Sequence, residues 1–278
     1  MAMDPVGKAI WFIESHFESE ISLDDVAKCA GVSRFHLTRA FGFATGRSVM
    51  RYVRGRRLSE AARRLAHGAQ EIMAVAMDSG YGSHEAFTRA FREQFGVTPE
   101  SVRGNGGLAN LELVEAIKLS EAMTKLQPPR IENGKTLLIA GLTQRYNCEA
   151  PSQIPAQWGR FGPYLGRVPG QVGSVAYGVC HNCDEAGNFD YLCGVEVSEF
   201  SGLNGDLVSL RIPEHKYAVF THSDHVSAIR GTWNAIMSEW LPQSGYSPCD
   251  APDFERYDER FDPGSGTGGL EIWIPIQD

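Results

Sequence analysis

The sequence has no apolar run near the roughly 18 residues that a bilayer-spanning helix needs, so no spanning helix and no membrane partner are expected. Its first residues, MAMDPVGKAIWFIESHF, lack the charged, apolar and small-residue order of a secretory leader. Cysteines are few for 278 residues: Cys29, Cys148, Cys180, Cys183, Cys193 and Cys249. The expected compartment is the cytoplasm, where these are thiols rather than a disulfide framework. No P-loop, G-x-S-x-G or H-E-x-x-H pattern is present, so those enzyme signatures are missing and no cofactor is expected. No coiled coil or dimerisation arm is visible.

What is there is unevenly charged. The net charge of −8 divides into +2 over residues 1–106 and −10 over residues 107–278. Residues 26–70 hold ten Lys and Arg against the single acid Glu60. A basic block this tight marks a polyanion-binding surface.

The N-terminal third repeats itself. SRFHLTRAF at 33–41 returns as SHEAFTRAF at 83–91, an offset of 50, and Gly46 and Gly96 keep the register. The unit reads as helix-turn-helix. Ser22 with Asp25 forms a capping box, Gly31 ends the first helix with positive φ, and Ser33 caps the next. Leu37, Ala40, Phe41 and Ala44 form its buried stripe, leaving Arg34, Phe35, Thr38 and Arg39 off it. In the second unit His84, Glu85, Thr88 and Arg89 lie off the stripe of Phe87, Ala90, Phe91 and Phe95. A helix over 48–66 joins the units and spans roughly 28 Å, near the ~34 Å of one DNA turn. That length sets two reading helices in successive major grooves of double-stranded DNA, with Arg47 and Arg51 at phosphates.

Residues 7–103 resemble the DNA-binding domain of AraC/XylS-type transcription regulators. The match rests on LDDVAKCAGVSRFHLTRAF and AVAMDSGYGSHEAFTRAFREQFGVTPESVR. The resemblance implies that Phe35, Thr38 and Arg39 of the first unit, and His84, Glu85 and Arg89 of the second, meet base edges. It also makes RNA polymerase a candidate partner.

RGNGG at 103–107 and QPPRI at 127–131 bracket a segment with helical spacing. The expected domains are 1–107, a linker helix over 108–127, and 128–278. From about residue 134 the pattern becomes β-α-β-β, twice. Strands are expected at 136–147, 173–180, 189–197, 215–222, 254–261 and 269–276, with helices at 152–168 and 226–241. The fold class is multidomain: an all-α double helix-turn-helix domain followed by an α+β domain of two β-α-β-β repeats.

GVEV at 194–197 and GLEI at 269–272 fall at the same place in the two repeats. Strand alternation turns Val195, Val197, Leu270 and Ile272 toward the helices, and Glu196 and Glu271 away from them. Two carboxylates on one concave surface, walled by Tyr164, Phe189, Tyr191, Tyr217, Phe254, Tyr257 and Trp273, suit a cationic, apolar small-molecule effector. On alternation alone, a solvated helix-free face carries glutamates as readily. Residues 128–277 resemble the GyrI-like effector-binding domain, through PPRIENGKTLLIAGL, FDYLCGVEV, KYAVFTH and GLEIWIPI. The resemblance implies a cleft for amphipathic, often cationic compounds with an acid in it, and leaves open which glutamate dominates. Two rivals stay open: a hydrolase using a glutamate as general base, and a domain that docks a protein partner. Cys180 and Cys183, with Cys193 across the hairpin, have one zinc-like spacing but no second pair, and no metal is expected. Asp224 is the expected cap of the helix at 226.

Overall fold

The computed structural model describes residues 5–68, 71–105, 107–117, 126–148, 153–184, 186–203 and 205–278. Helices come first: α1 Pro5–His16, α2 Leu23–Ala30, α3 Arg34–Thr45, α4 Val49–Ala66, α5 Ile72–Asp78, α6 His84–Phe95 and α7 Pro99–Asn105. Ser22 and Asp25 form the capping box, Gly31 closes α2 at φ 76°, and the Ser33 and Ser83 side chains accept the His36 and Ala86 amides. α4 serves two cores. Val49, Tyr52 and Val53 pack with α1–α3, while Leu58, Ala61, Ala62 and Leu65 pack with Phe87 and Phe91.

The basic block is partly tied into this fold. Arg56 clamps Glu14 at 2.8 Å, Arg57 donates to Phe17 O, Arg63 pairs with Glu115 at 2.6 Å and Arg64 with Asp78 at 2.6 Å. Arg47, Arg51 and Arg54 are exposed.

The linker helix does not form over residues 107–117, which run without regular structure along α4. The Val114 amide donates to Ser59 Oγ at 2.8 Å, Arg56 donates to Val114 O at 3.0 Å, and the Ile117 amide donates to Tyr52 Oη at 3.0 Å. Side chains of α4 thus satisfy backbone groups that a helix would pair internally. Gly55 makes the close approach possible, since a Cβ there would sit 2.7 Å from Val114 Cγ2. Residues 118–125 of the expected helix lie outside the described residues.

The rest is one curled antiparallel sheet with helices on one face. Its elements are β1 Arg130–Gly134, β2 Leu137–Asn147, α8 Ile154–Phe161, β3 Gln171–His181, β4 Asn188–Val197, β5 Val208–Ile212, β6 His215–His222, α9 Ile229–Ala235, β7 Ser247–Pro248, β8 Asp253–Tyr257 and β9 Leu270–Gln277. A π-helical turn, Ile236–Trp240, and a short helix, α10 Leu241–Gln243, extend α9. The strand order is β1-β6-β9-β8-β3-β4-β2-β5, with β7 also on β9. The repeats β2-α8-β3-β4 and β6-α9-β8-β9 meet at the β3–β8 pair. β1 leads into β2 but pairs with β6, and β5 leads into β6 but pairs with β2. The two residues between β1 and β2 reach about 10 Å, so the sheet must curl until its two margins approach. His225, not Asp224, caps the turn before α9: its side chain accepts the Ser227 amide at 3.1 Å.

The concave face holds Tyr177, Val179, Leu192, Tyr217, Val219 and Phe254. On the other face, Leu37, Phe41 and Tyr52 of the first helical unit share one core with Phe220, Trp233, Ile236 and Ile274. Among the described residues no helix is long and apolar enough to cross a membrane.

Candidate functional site

The two expected reading helices present different surfaces. On α6, Glu85 and Arg89 are exposed, Thr88 is half-buried, and His84 lies 3.1 Å from Glu100. Glu85 sits in the first turn, where the helix dipole favours a carboxylate. On α3, Arg34 pairs with Asp24 at 3.2 Å and Phe35 is half-buried, but Thr38 and Arg39 are 5% and 6% exposed. In this structure Arg39 does not face outward as a base-reading side chain. Its guanidinium meets Asp253 of β8 at 2.7 Å and lies 5.1 Å from the ring centres of both Phe43 and Trp233. Arg230 of α9 donates to the Gly42 and Phe43 carbonyls at 2.8 and 3.0 Å, satisfying the C-terminal end of α3.

Burial pushes the Asp253 carboxyl up, to about 7, against the pull of Arg39. Burial also pushes the His36 imidazole on α3 down, to about 4, with Arg39 adding to the effect. An unfolded histidine takes its proton near 6.5, so between those values the unfolded chain binds a proton that the native chain refuses. The contribution of this group is expected to be undiminished above about pH 6.5 and to fall by about 3 kcal/mol as pH drops to about 4, while the raised Asp253 carboxyl acts in the opposite direction over the same range. Urea melts at pH 7, 5.5 and 4.5 measure this, and His36→Gln is expected to flatten the slope. An equal slope in both proteins would contradict it.

The expected effector residues divide between the two faces of the sheet. Glu196 and Glu271 do face away from the helices, together with Tyr217, Phe254 and Trp273, whose ring centres lie 5.4–5.5 Å apart. Three strand spacings separate the two glutamates, roughly 14 Å, with Arg256 and Tyr177 in the intervening strands. Each already has a cation. Lys135 bonds Glu196 at 2.7 Å, and Arg130 and Arg256 reach Glu271 at 2.9 and 3.4 Å. Burial raises the Glu271 carboxyl, but hydrogen bonds from Arg130 and Trp273 outweigh it and hold the group below its ordinary value.

Tyr164, Tyr191 and Tyr257 belong to the helix-bearing face instead. Tyr164 packs there beside Phe161. The carboxylate at Tyr191 and Tyr257 is Glu255 of β8, 8% exposed, which the expected set did not contain. Tyr191 Oη donates to Glu255 Oε2 at 2.7 Å, Tyr257 Oη donates to the same oxygen at 2.9 Å, and Trp233 Nε1 donates to Oε1 at 3.2 Å. Trp158 of α8 donates to Tyr191 Oη at 3.1 Å and meets the Tyr257 ring edge-on at 5.1 Å. Burial first, and then the Glu255 charge, hold both tyrosine hydroxyls protonated well above their ordinary range. Gly178 leaves the gap that Tyr191 crosses, because a Cβ there would lie 2.1 Å from Tyr191 Oη and 2.8 Å from Glu255 Oε2.

One sequence signal marks this site. The repeat offset of 75 that superposes Glu196 on Glu271 also superposes Trp158 on Trp233 and Cys180 on Glu255. A tryptophan from each repeat therefore flanks the β3–β8 seam, and one repeat alone brings the acid. Cys180 and Cys193 pack under α8, while Cys183 Sγ is 3.9 Å from Arg39 Nη1. Burial raises all three thiols. Among the described residues no group of three or more His, Cys, Asp or Glu side chains is placed to hold a metal.

A helix-turn-helix pair joined to a curled sheet with an aromatic-ringed acid is the layout of a ligand-responsive DNA-binding regulator. Residues 127–277 match the GyrI-like small molecule binding domain, and residues 26–105 match a helix-turn-helix domain of AraC type. The chain belongs to the GyrI-like family. It is similar to the right origin-binding protein of Escherichia coli K12, 28% identical over 283 residues that cover 96% of each chain. The transcriptional regulator Rob of Salmonella typhimurium is 26% identical over 284 residues, again covering 96% of both. The regulatory protein SoxS of Escherichia coli K12 is 39% identical over 94 residues, 34% of this chain and 88% of SoxS. The chain is thus a transcription regulator with a DNA-binding helix-turn-helix domain and a small-molecule binding domain.

Proposed function

We propose that the small molecule is an amphipathic organic cation, seated against Glu255 between Trp158 and Trp233. The observation behind this reading is the environment of Glu255. Among the described residues its side-chain hydrogen bonds come from aromatic groups, and no Lys or Arg pairs with it. A buried carboxylate without a countercharge costs far more than a paired one. A ligand that brings the missing positive charge recovers that cost and gains cation–π contacts with the flanking rings. Glu196 and Glu271, each with a cation already, gain less from a second.

Thermal melting tests the reading. Benzyltrimethylammonium is expected to raise the melting temperature saturably. Neopentylbenzene, its neutral all-carbon counterpart, is expected to do so much less. Equal stabilisation by both would favour an apolar pocket with no role for the acid.

Acting in the cytoplasm at promoter DNA, with RNA polymerase as the further partner, completes the proposal. Hydrolysis is the weaker reading, since the described part of the Glu255 cluster pairs the acid with tyrosines and a tryptophan rather than with a nucleophile and its base.

A further inference from the structure

The two helix-turn-helix units carry one motif fifty residues apart, so each is a reference for the other. On α6 the buried residues are Phe87 and Phe91, both on the inner stripe. On α3 their counterparts Leu37 and Phe41 are buried, and so are His36, Thr38, Arg39, Ala40 and Gly42. The effector domain supplies this extra cover. Asp253 holds Arg39, Trp233 stacks on Phe43 at 5.1 Å with the ring planes 4° apart, and Arg230 holds the carbonyl end of the helix. A Cβ on Gly42 would lie 2.9 Å from Cys148 Cβ, and one on Gly187 would lie 2.7 Å from Ser48 Cβ. Of the off-stripe side chains that a reading helix must present, Thr38 and Arg39 are therefore buried, with Arg39 held by the partner domain, while Arg34 stays exposed.

We propose that this docked arrangement is a masked state of the regulator, and that a cation seated at Glu255 loosens it. The inference rests on the effector site proposed above. Asp253 gives Arg39 the negative charge that DNA would otherwise supply, so docking and reading compete for the same guanidinium. The effector site and the mask also share parts. Trp233 donates its N–H to Glu255 and lays its ring against both Phe43 and Arg39. A ligand that takes over Glu255 removes the anchor of that ring. Asp253 and Glu255 lie on one face of β8, about 7 Å apart along the strand, so a positive charge at Glu255 also repels Arg39 in a site with little water to screen it. Coupling of this kind is reciprocal: DNA that draws α3 out must tighten cation binding by the same factor.

The test uses the full chain and a duplex selected by it from a random-sequence library. With no cation present, Asp253→Asn is expected to bind that duplex roughly 5-fold to 150-fold more tightly than wild type, the usual range for coupled sites. Benzyltrimethylammonium is expected to tighten wild-type binding and to change the variant little. A variant with the wild-type circular dichroism spectrum and unchanged or weaker DNA affinity overturns the mask. If Asp253→Asn does not fold, hydrogen exchange on wild type decides. Amides of 34–45 are expected to exchange faster with benzyltrimethylammonium present, while those of 84–95 keep their rates, and unchanged exchange at 34–45 overturns the proposal. If the cation does not bind at all, the effector reading fails by itself, and the Asp253→Asn affinity, or failing that α3 exchange with the duplex added, still decides the mask.

Discussion

Glu255→Gln is expected to weaken the binding of a monovalent organic cation by roughly 30-fold to 4,000-fold, the equivalent of about 2–5 kcal/mol for a buried hydrogen-bonded charge that loses its partner. The substitution keeps the shape of the side chain. Trp233 Nε1 can only donate, whereas the two tyrosine hydroxyls can accept as well as donate. The glutamine oxygen can therefore turn to Trp233 and its amide group donate to Tyr191 and Tyr257, which keeps the three contacts and removes the charge, at the cost of the acceptor that the tyrosine O–H groups now share. Calorimetric titration with benzyltrimethylammonium measures the effect. Glu196→Gln and Glu271→Gln are the controls, expected within about threefold of wild type because Lys135 and the Arg130–Arg256 pair already neutralise those positions. A large loss in Glu271→Gln with none in Glu255→Gln would move the effector to the concave face and leave Glu255 a structural acid.

That contrast follows from strand parity, which also separates what the sequence revealed from what it hid. Helix ends are local, and the Ser22–Asp25 box, Gly31, Ser33 and Ser83 could all be read directly. The strand at 215–222 and the outward turn of Glu196 and Glu271 were equally legible from alternation. The expected effector residues divide between two faces because they were grouped by chemical type across that same alternation. Tyr191 and Glu196 are five apart on one strand, and Phe254 and Tyr257 three apart on another, so each pair must straddle the sheet. Applied to FERYDERF, parity places Glu255 with Tyr257, beside Tyr191. The linker and Arg39 are a different case. Residues 107–117 give up helical hydrogen bonds for Ser59, Arg56 and Tyr52, and Arg39 gives up solvent for Asp253. Those partners lie 55 to 214 residues away, beyond any local pattern. The strands β1 and β5 were missed for the same reason, each pairing in the repeat it does not lead into.

The repeated motif allows the docked arrangement to be weighed by stability alone. Arg39→Ala is expected to destabilise the chain by about 3–5 kcal/mol at about pH 8, above the raised range of Asp253, because it leaves that carboxyl buried without its partner. At roughly 2–4 °C per kcal/mol for large domains, this corresponds to a fall of about 10 °C in melting temperature. Loss of the cation–π contacts to Phe43 and Trp233 acts in the same direction. Arg89→Ala, at the equivalent exposed position of the second unit, is expected to change stability by less than about 0.5 kcal/mol. Its effect belongs to DNA: about 1–3 kcal/mol with relaxed specificity if it reads a base, or a salt slope reduced by about 1 if it meets a phosphate. Differential scanning calorimetry of the two variants makes the comparison directly. Equal, small shifts would mean that Arg39 is solvated in solution and that α3 does not rest against Asp253. A large shift for Arg39 alone would mean that one arginine of the repeat spends the DNA-free state as an interdomain ion pair. Any DNA contact made by Arg39 then has to exceed what Asp253 already gives it, whereas Arg89 is exposed and has no such ion pair among the described residues. The second unit is therefore expected to engage DNA first, and the first only once the competition at Arg39 is won.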